Sequence, residues 1–394
     1  MTGITQETEL QPSTRFRKNA TAAFRFAVSS RLVAAVLLVL GGSVSGPECA
    51  AAADAPPPKD SVYSRAADGT YTVPPELKNF RLRSSTPLQI ANAEAAGYDL
   101  TKWQSDPSRI IYHDGKYHVW MIDGYLCYEQ INERPANGLS WIRYLTSKDG
   151  KTWNVVSYIP LGPKGSCYDM AIEQAEVLMY EGRFYLFSEA LTTNTGEYKQ
   201  KHAGIVCLVA DAPEGPWKQV GDLMLRPEND GRSFDSMAVV NACHVFFQGK
   251  WLMYYKGLKE GQSSDNGLAI ADSLTGPYKK YGSNPLLRGH GHFAWRYKDG
   301  IIMVMFDWNG KSSDTRILWT QDGMHFVPLV KGEGTFIFGS LYCPYDPLCG
   351  KPVAGKPTTE YWGIQTRVTG GPTGQDVERI EWGFGSDSAA SQGR

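Results

Sequence analysis

The feature of the sequence that most constrains its fold is a hairpin pattern that recurs four times. In each copy an apolar strand leads to a two-residue turn ending in glycine, and a second strand rich in aromatic and β-branched residues follows. The copies are DPSRIIYHDGKYHVWMID from Asp106, EQAEVLMYEGRFYLFSE from Glu173, VNACHVFFQGKWLMYYK from Val240 and GHFAWRYKDGIIMVMFD from Gly291. Their turn glycines are Gly115, Gly182, Gly249 and Gly300, at intervals of 67, 67 and 51 residues. Such a repeat predicts an array of similar all-β units.

A second strand–turn–strand motif follows each hairpin. The motifs are LTSKDGKTW around Gly150, LVADAPEGPW around Gly215, LAIADSLTGPY around Gly276 and LWTQDGMHF around Gly323. A hairpin followed by a hairpin makes four antiparallel strands, which is one blade of a β-propeller. Two later strand candidates, 361–368 and 379–384, can supply a fifth blade. A β-sandwich also has short strands, but it does not explain the paired motifs. We therefore predict an all-β, five-bladed β-propeller over residues 100–385.

The two ends of the chain differ in composition from this repeat. Residues 1–53 contain a basic leader, an apolar run over 32–40 and small residues ending at Ala53, which predicts a signal peptide. The apolar run is too short to span a membrane, so we expect an exported protein, periplasmic or extracellular, with no membrane span in its mature form. A lipid anchor at Cys49 is an alternative. Residues 54–99 are predicted to be an N-terminal leader with a short helix over 88–97, and 386–394 a flexible tail.

Charge and cysteine content limit the partners that the chain can bind and the cross-links that it can form. The chain has 40 Lys and Arg against 41 Asp and Glu, so it has no basic footprint for nucleic acid. Six cysteines follow residue 53, an even number that permits disulfides in an exported chain. Cys343 and Cys349 are the best pair, and buried free thiols are the alternative. No cysteine and histidine spacing indicates a structural zinc site. A homodimer is left open.

Polar residues open the inner strands, which line the axis of a propeller and therefore converge. Counting back from the hairpin glycines gives Asp106 and Glu173 nine residues before the first two, Asn241 eight before the third, and His290 and His292 ten and eight before the fourth. A second ring, seven or eight residues after the glycines, contains Asp123, Glu189, Lys256 and Asp307. We expect this ring, with Asn241 and His292, to bind substrate hydroxyl groups. The alternative is that strand ends are polar because they meet water.

Two carboxyl groups across a cleft suit the hydrolysis of an acetal, because one can be protonated and the other ionised. Asp106 and Glu173 are the candidate catalytic pair, and His290 could replace the acid, since an imidazolium also protonates oxygen. No cofactor is needed for this chemistry. A divalent cation near the axis is an alternative use of the same histidine and carboxylate side chains.

Several of these motifs resemble the clan that contains glycoside hydrolase families 43 and 117. They are DPSRIIYHDGKYHVW at Asp106, SKDGKTW at Ser147, ADAPEGPW at Ala210, GKWLMYYKG at Gly249, GLAIADSLTGPYKKYGSNPLL at Gly267 and the Gly-His pair at Gly289. The nearest resemblance is to family 117, the 3,6-anhydro-α-L-galactosidases that act on agar oligosaccharides. It implies that Asp106 is the general base and His290 the general acid. The chain departs from the family at Asn241-Ala242, where the family has Asp-Pro, and at Gly291, where it has Glu.

Three functions are compatible with these patterns. The first is an exported glycoside hydrolase that acts on plant or algal polysaccharide fragments, as an exo enzyme with inversion. The second is a carbohydrate-binding propeller without catalysis, which the change at Asn241 would permit. The third is a structural or protein-interaction propeller, which would not need ionisable residues on its axis.

Overall fold

The protein is described by a computed structural model that covers residues 71–92, 104–124, 140–192, 203–262, 264–308, 313–332, 338–342, 361–368 and 375–384. The expected signal peptide, the tail and Cys127, Cys343 and Cys349 lie outside the described residues. The described chain is built from 23 β-strands and one short 3₁₀ helix, Pro75–Asn79. In this part of the chain no helix is long and apolar enough to cross a membrane.

The described strands form four sheets, and we divide the ten-stranded one at the parallel pair Ser140–Ala171, which gives five sets in which antiparallel pairing dominates. Set 1 contains β2 (Gln89–Ile90), β3 (Gln104–Ser105), β4 (Ile111–His113), β5 (Lys116–Gly124), β6 (Ser140–Ser147) and β7 (Thr152–Ile159). Set 2 contains β8 (Ala171–Tyr180), β9 (Arg183–Leu191), β10 (Gly204–Ala210) and β11 (Lys218–Gln219). Set 3 contains β12 (Ala238–Phe247), β13 (Lys250–Leu258), β14 (Asp265–Ala271), β15 (Lys279–Lys280) and β16 (Leu287–Arg288).

The last two sets complete the chain. Set 4 contains β17 (Gly291–Tyr297), β18 (Gly300–Trp308), β19 (Ser313–Thr320) and β20 (Val327–Gly332). Set 5 contains β1 (Phe80–Pro87), β21 (Phe338–Tyr342), β22 (Tyr361–Val368) and β23 (Gln375–Phe384). In set 5 the first strand of the described chain pairs antiparallel with the last. The N-terminal strand β1 is therefore added to the sheet formed by the C-terminal strands β21, β22 and β23.

Hydrophobic clusters fill the spaces between consecutive sets. Representative members are Trp120 and Leu186 between sets 1 and 2, Phe187 and Trp251 between sets 2 and 3, Leu252 and Met303 between sets 3 and 4, and Trp319 and Trp382 between sets 4 and 5. A fifth cluster joins set 5 back to set 1, where the Tyr117 and Trp362 ring centroids are 5.0 Å apart. The sets therefore form a closed ring, and burial of these faces is the main favourable contribution to folding.

The all-β class and the hairpins predicted from the repeat are confirmed. The predicted strand over 361–368 is β22, and the predicted strand over 379–384 lies within β23. The exact number of blades stays a prediction. In the fourth hairpin the turn residues are Lys298 and Asp299, and Gly300 already begins β18. A Cβ at Gly300 would lie 2.3 Å from the carbonyl oxygen of Thr320, so close packing, and not the turn, requires this glycine.

The prediction of a short helix in the N-terminal leader is wrong where it can be assessed. Gln89–Ile90 is a strand that pairs in parallel with β7, and Leu88 donates its backbone N–H to the Val377 carbonyl at 2.9 Å. Neighbouring strands thus take the backbone groups that a helix would have used internally. The rest of the expected helix, 93–97, lies outside the described residues.

Three of the cysteines are free thiols in the described structure. Cys207 and Cys243 are buried in the core, and Cys167 is partly exposed. Burial raises the pKa of Cys207 to about 12 and raises that of Cys243 still further. At these three positions the free thiols are therefore protonated at neutral pH, and thiolate chemistry is not expected of them.

Candidate functional site

The inner strands of sets 1, 2 and 3 are interrupted by the same bulge. One extra residue is inserted between Glu173 and Glu176 relative to β9, and one between Val240 and Cys243 relative to β13. In set 1 the pairing of β3 with β5 stops at Ser105, and Ser108 resumes it by donating to the Trp120 carbonyl at 2.7 Å. The bulges are 106–107, 174–175 and 241–242. Bulges of this kind redirect a side chain and are frequent beside active sites.

The first residue of each bulge has a left-handed backbone. The φ angles are 49° at Asp106, 49° at Gln174 and 54° at Asn241. For residues with a Cβ this conformation costs roughly 1–2 kcal/mol, although Asn and Asp tolerate it better than most. The same strained backbone at one height of three neighbouring sets indicates a functional constraint.

The three bulges open into one small pocket on the axis of the ring, with a cavity volume of about 40 Å³. All five sets contribute to its lining, through 106–109, 174–176, 241–243, 292–293 and Gly339. The convergence of opening residues that the repeat predicted is therefore present.

The structure changes the identity of one candidate in this pocket. Asp106, Asn241 and His292 lie in the wall as predicted, but the bulge residue of set 2 is Gln174 and not Glu173. Set 1 has one more residue between its bulge and its turn than set 2, so counting nine residues back from Gly182 selected the wrong neighbour. Glu173 is buried beside the wall, and the Ser140 hydroxyl donates to its Oε1.

The second predicted ring is reproduced in part. Glu189 is the register partner of Glu173, and Lys256 is the register partner of Val240, so the two occupy equivalent places. The equivalent residue in set 1 is Ile122, because Asp123 pairs one step further along with Gln104. The side chains of Asp123 and Asp307 lie outside the described part of the structure.

Lys256 is buried among carboxylates. Burial lowers its pKa, whereas the negative charges of Glu189, Asp106 and Glu173 oppose that change in decreasing order. A buried ammonium group is tolerated only with such partners. Lys256 therefore links the candidate base Asp106 electrostatically to the two glutamates of set 2.

The two histidines of set 4 are neutral at physiological pH. Burial lowers the pKa of His290 well below its ordinary value, and the charge of Lys256 acts in the same direction. Burial lowers the pKa of His292 to about 4. A neutral imidazole is a weak acid, so in the ligand-free site neither ring is a ready proton donor of the imidazolium type.

Below the wall, three buried residues form what we call the axial cluster: Arg109, Glu176 and His244. The Arg109 guanidinium donates to Glu176 Oε1 at 2.7 Å, to the His244 carbonyl at 3.1 Å and to the Ala294 carbonyl at 3.2 Å. The backbone N–H and Nδ1–H of His244 donate to Glu176 Oε2 at 2.6 and 2.8 Å. Burial would raise the pKa of Glu176, but the Arg109 charge and these hydrogen bonds hold it below its ordinary value. The cluster ties four sets together, and Arg109 and Glu176 also line the pocket.

Gln174 and the axial cluster were missed by the sequence reasoning. A signal for the first was present: Gln174-Ala175 and Asn241-Ala242 stand at the same distance from their turn glycines. Arg109, Glu176 and His244 stand two or three residues after the bulge position in their strands, and each interrupts an apolar run. A charged residue at one height in successive repeats indicates mutual pairing across the axis.

The donor set for a metal ion is not assembled in the described residues. No group of three or more His, Cys, Asp or Glu side chains there has a geometry that could hold a cation. We therefore derive no step through a bound metal.

Comparison with solved structures identifies the class of fold. The chain is similar to Zg3597, a family 117 glycoside hydrolase produced by the marine bacterium Zobellia galactanivorans, with a TM-score of 0.65 and 22% identity over 79% of this chain and 92% of that one. It is also similar to the catalytic domain of a Coprinopsis cinerea GH62 α-L-arabinofuranosidase, with a TM-score of 0.53 and 12% identity over 77% and 98% of the two chains.

A third similar structure is the α-L-arabinofuranosidase PaAbf62A from Podospora anserina, with a TM-score of 0.52 and 10% identity over 77% of this chain and 97% of that chain. No protein-family model matches the chain, and no curated protein matches its sequence. The fold is that of the β-propeller glycoside hydrolases, as the sequence resemblance implied. At these identities the likeness establishes the fold, and the activity must be argued from the site.

Proposed function

We propose that the protein is an exported glycoside hydrolase that acts on oligosaccharides derived from plant or algal polysaccharides, in exo mode and with inversion. The observation that carries the proposal is the convergence of Asp106, held by a strained bulge, with polar residues of other sets in a pocket that all five sets line. Strain repeated at one mouth is characteristic of a binding or catalytic site. The propeller fold shared with glycoside hydrolases supports the same class.

Asp106 is the proposed general base. It lies in the pocket wall, and Pro107 after it has no backbone donor and favours an extended chain leading into the strand. An ionised carboxylate in this place can remove a proton from a water molecule that attacks the anomeric carbon.

The proposed proton donor is Glu173, with His290 as the other candidate. The neutral state of His290 argues for a carboxyl group in this role, and Glu173 is buried one residue before the bulge of set 2. Lys256 and Glu189 surround the same region. We propose that these two, with Asn241, His292, Asp123 and Asp307, bind and orient the sugar hydroxyl groups.

A second function, carbohydrate binding without catalysis, is favoured by one specific observation. Two of the three bulge positions are the amides Gln174 and Asn241, which do not ionise near neutral pH. A pocket with a single carboxylate at its three strained positions binds hydroxyl groups well, but it needs an acid from elsewhere for hydrolysis.

The test is a turnover and binding screen with oligosaccharides of agar, carrageenan, arabinan and xylan. The neighbours' activities make α-L-linked terminal sugars the first to try. Asp106→Asn should lower turnover by about a hundredfold or more, as expected for loss of a general base, while folding stays intact. The matched control is Asp114→Asn, the same change at an exposed left-handed residue of the set 1 turn.

The outcomes separate the two functions. Turnover that is lost in Asp106→Asn and kept in Asp114→Asn supports the hydrolase. Binding of an oligosaccharide without turnover in the wild type supports the binding propeller instead. Wild-type turnover in Asp106→Asn contradicts the assigned base, and Glu173→Gln and His290→Asn then decide between the acid candidates.

A further inference from the structure

Asn266 lies behind the pocket and was not among the candidate residues. It is the second residue of β14, its side chain is buried, and it pairs in register with Lys256 on one side and Leu287 on the other. It does not line the pocket, so any effect it has on a ligand must pass through other residues.

The Asn266 side chain makes two short hydrogen bonds, both to the segment that contains the predicted histidines. Its Nδ2 donates to the Gly289 carbonyl at 2.7 Å, directly before His290. Its Oδ1 lies 2.7 Å from Nδ1 of His292. One amide thus holds both ends of the 289–292 segment.

The hydrogen bond to Gly289 fixes the orientation of the Asn266 amide, and this orientation sets the direction of its hydrogen bond with His292. Because a carbonyl oxygen only accepts, the NH₂ group of Asn266 must face Gly289, and its oxygen must face His292. The proton of the neutral His292 ring is therefore on Nδ1, and Nε2 has the free lone pair. Nε2 belongs to a residue of the pocket lining and is buried without a hydrogen bond of good geometry among the described residues, although the Tyr254 backbone interacts with the ring and opposes the lowering of its pKa by burial.

Other groups also contact this segment in the described structure. Gly289 donates its N–H to the Ser264 carbonyl at a long 3.4 Å, and the Arg316 guanidinium donates to the Arg288 carbonyl. A Cβ at Gly289 would come within 2.9 Å of Met305 Sδ, so the chain passes close to β18. The Asn266 side chain is thus one of several groups that fix this segment, and its bond is made to the residue directly before His290.

We propose that Asn266 is a positioning residue for the pocket: it fixes the backbone before His290 and holds His292 in the tautomer whose Nε2 accepts a hydrogen bond from a ligand hydroxyl group. The ligand part of this inference rests on the proposed carbohydrate site, whereas the tautomer part does not. The charged groups around His292 are Glu176 and Lys256, together with Asp106 and Arg109 of the same pocket lining.

The first test is the tautomer of His292 in the full-length wild-type protein, measured by ¹⁵N NMR of the histidine side chains and assigned with the His292→Gln variant. The expected result is a neutral ring protonated on Nδ1 that does not titrate between pH 5 and 8. A ring protonated on Nε2 would overturn the proposal.

The second test is Asn266→Asp. A carboxylate at this position still accepts from Nδ1–H but cannot donate to Gly289, and it favours the imidazolium form. The pKa of His292 should rise by at least about one unit, and oligosaccharide affinity should become dependent on pH below about 6. Asn266→Ala should lose the preference for the Nδ1 tautomer.

The matched control is Asn92→Ala. Like Asn266, Asn92 donates one hydrogen bond, to the Val155 carbonyl at 2.9 Å, and accepts one, from the Val155 backbone N–H at 2.8 Å. Val155 lies on β7, the outer strand of set 1. It should leave the His292 signal and the affinity unchanged. If Asn266→Asp leaves the His292 titration as in the wild type, the positioning role is wrong. If the wild type binds no oligosaccharide while the NMR results hold, it is the proposed function that fails.

Discussion

The axial cluster and the pocket wall lie two or three residues apart on the same inner strands, yet they differ in how their polar groups are paired. In the axial cluster both carboxylate oxygens of Glu176 accept short hydrogen bonds from Arg109 and His244, although Nε2 of His244 is buried without a hydrogen-bond partner among the described residues. In the wall Gln174 Oε1 and His292 Nε2 are buried without a hydrogen bond of good geometry in the described part of the chain. Polar groups that the protein pairs internally stabilise it, whereas an unpaired acceptor in the pocket lining is within reach of a ligand.

Backbone strain follows the same division. The left-handed residues of the inner strands are in the wall, at Asp106, Gln174 and Asn241, whereas the remaining non-glycine ones lie in turns and loops, as at Asp114, Glu181 and Gln248. A strained residue lowers stability, so its retention at three equivalent places indicates that function, not folding, selects it.

The largest expected effect breaks the axial cluster. Glu176→Ala removes the partner of a buried guanidinium, and removal of one member of a buried ion pair costs about 3–5 kcal/mol of unfolding free energy. Chemical denaturation should show this loss. Asp211→Asn, which breaks the exposed pair with Arg183, is the control and should leave the midpoint unchanged. Equal stability of the two variants would show that the axial cluster is not the stabilising element.

The next largest expected effect is a loss of stability at acidic pH. Burial lowers the pKa of His118 and of His290, and lowers that of His292 to about 4. In the unfolded chain each histidine titrates near 6.5, so stability is complete above that pH and is lost as the pH falls towards 4, because the unfolded state binds protons first. Each group contributes at most about 1.4 kcal/mol per pH unit.

Denaturation at several values between pH 7.5 and 4.5 measures this dependence. His292→Gln removes one titrating group from the pocket, so the free energy of unfolding should depend less steeply on pH. Asn92→Ala changes no titrating group and should show the same pH dependence as the wild type. An unchanged pH dependence in His292→Gln would mean that this ring is not held neutral.

The smallest expected effect is that of Gln174→Gly, which should raise stability but weaken ligand binding. Gln174→Gly relieves the left-handed strain and should raise the free energy of unfolding by about 0.5–1 kcal/mol, after allowing for the greater freedom of glycine in the unfolded chain. Loss of one hydrogen bond to the ligand should weaken affinity by about two- to tenfold.

Glu181→Gly is the matched control, since Glu181 is an exposed left-handed residue at the turn of the same set, with φ 51°. It should gain similar stability and leave affinity unchanged. A Gln174→Gly variant that binds as well as the wild type would remove Gln174 from the site.

Local pattern by itself determined the all-β class, the hairpins and Asp106. Alternation and turn chemistry act between near neighbours, so β22 at Tyr361–Val368 and the first three turns could be predicted from the residues alone. Asp106 stood out because a carboxylate followed by proline opens an otherwise apolar strand.

Only the tertiary structure decided which residues meet. The choice of Gln174 over Glu173 depends on a single inserted residue, and a shift by one residue moves a side chain to the other face of its strand. Arg109 finds Glu176 and the His244 carbonyl across 67 and 135 residues of sequence, a distance at which no local rule operates. The closure of β1 on β23 and the control of His292 by Asn266 likewise arise when remote strands pack, because burial forces each polar group to find whichever partner the ring brings near it.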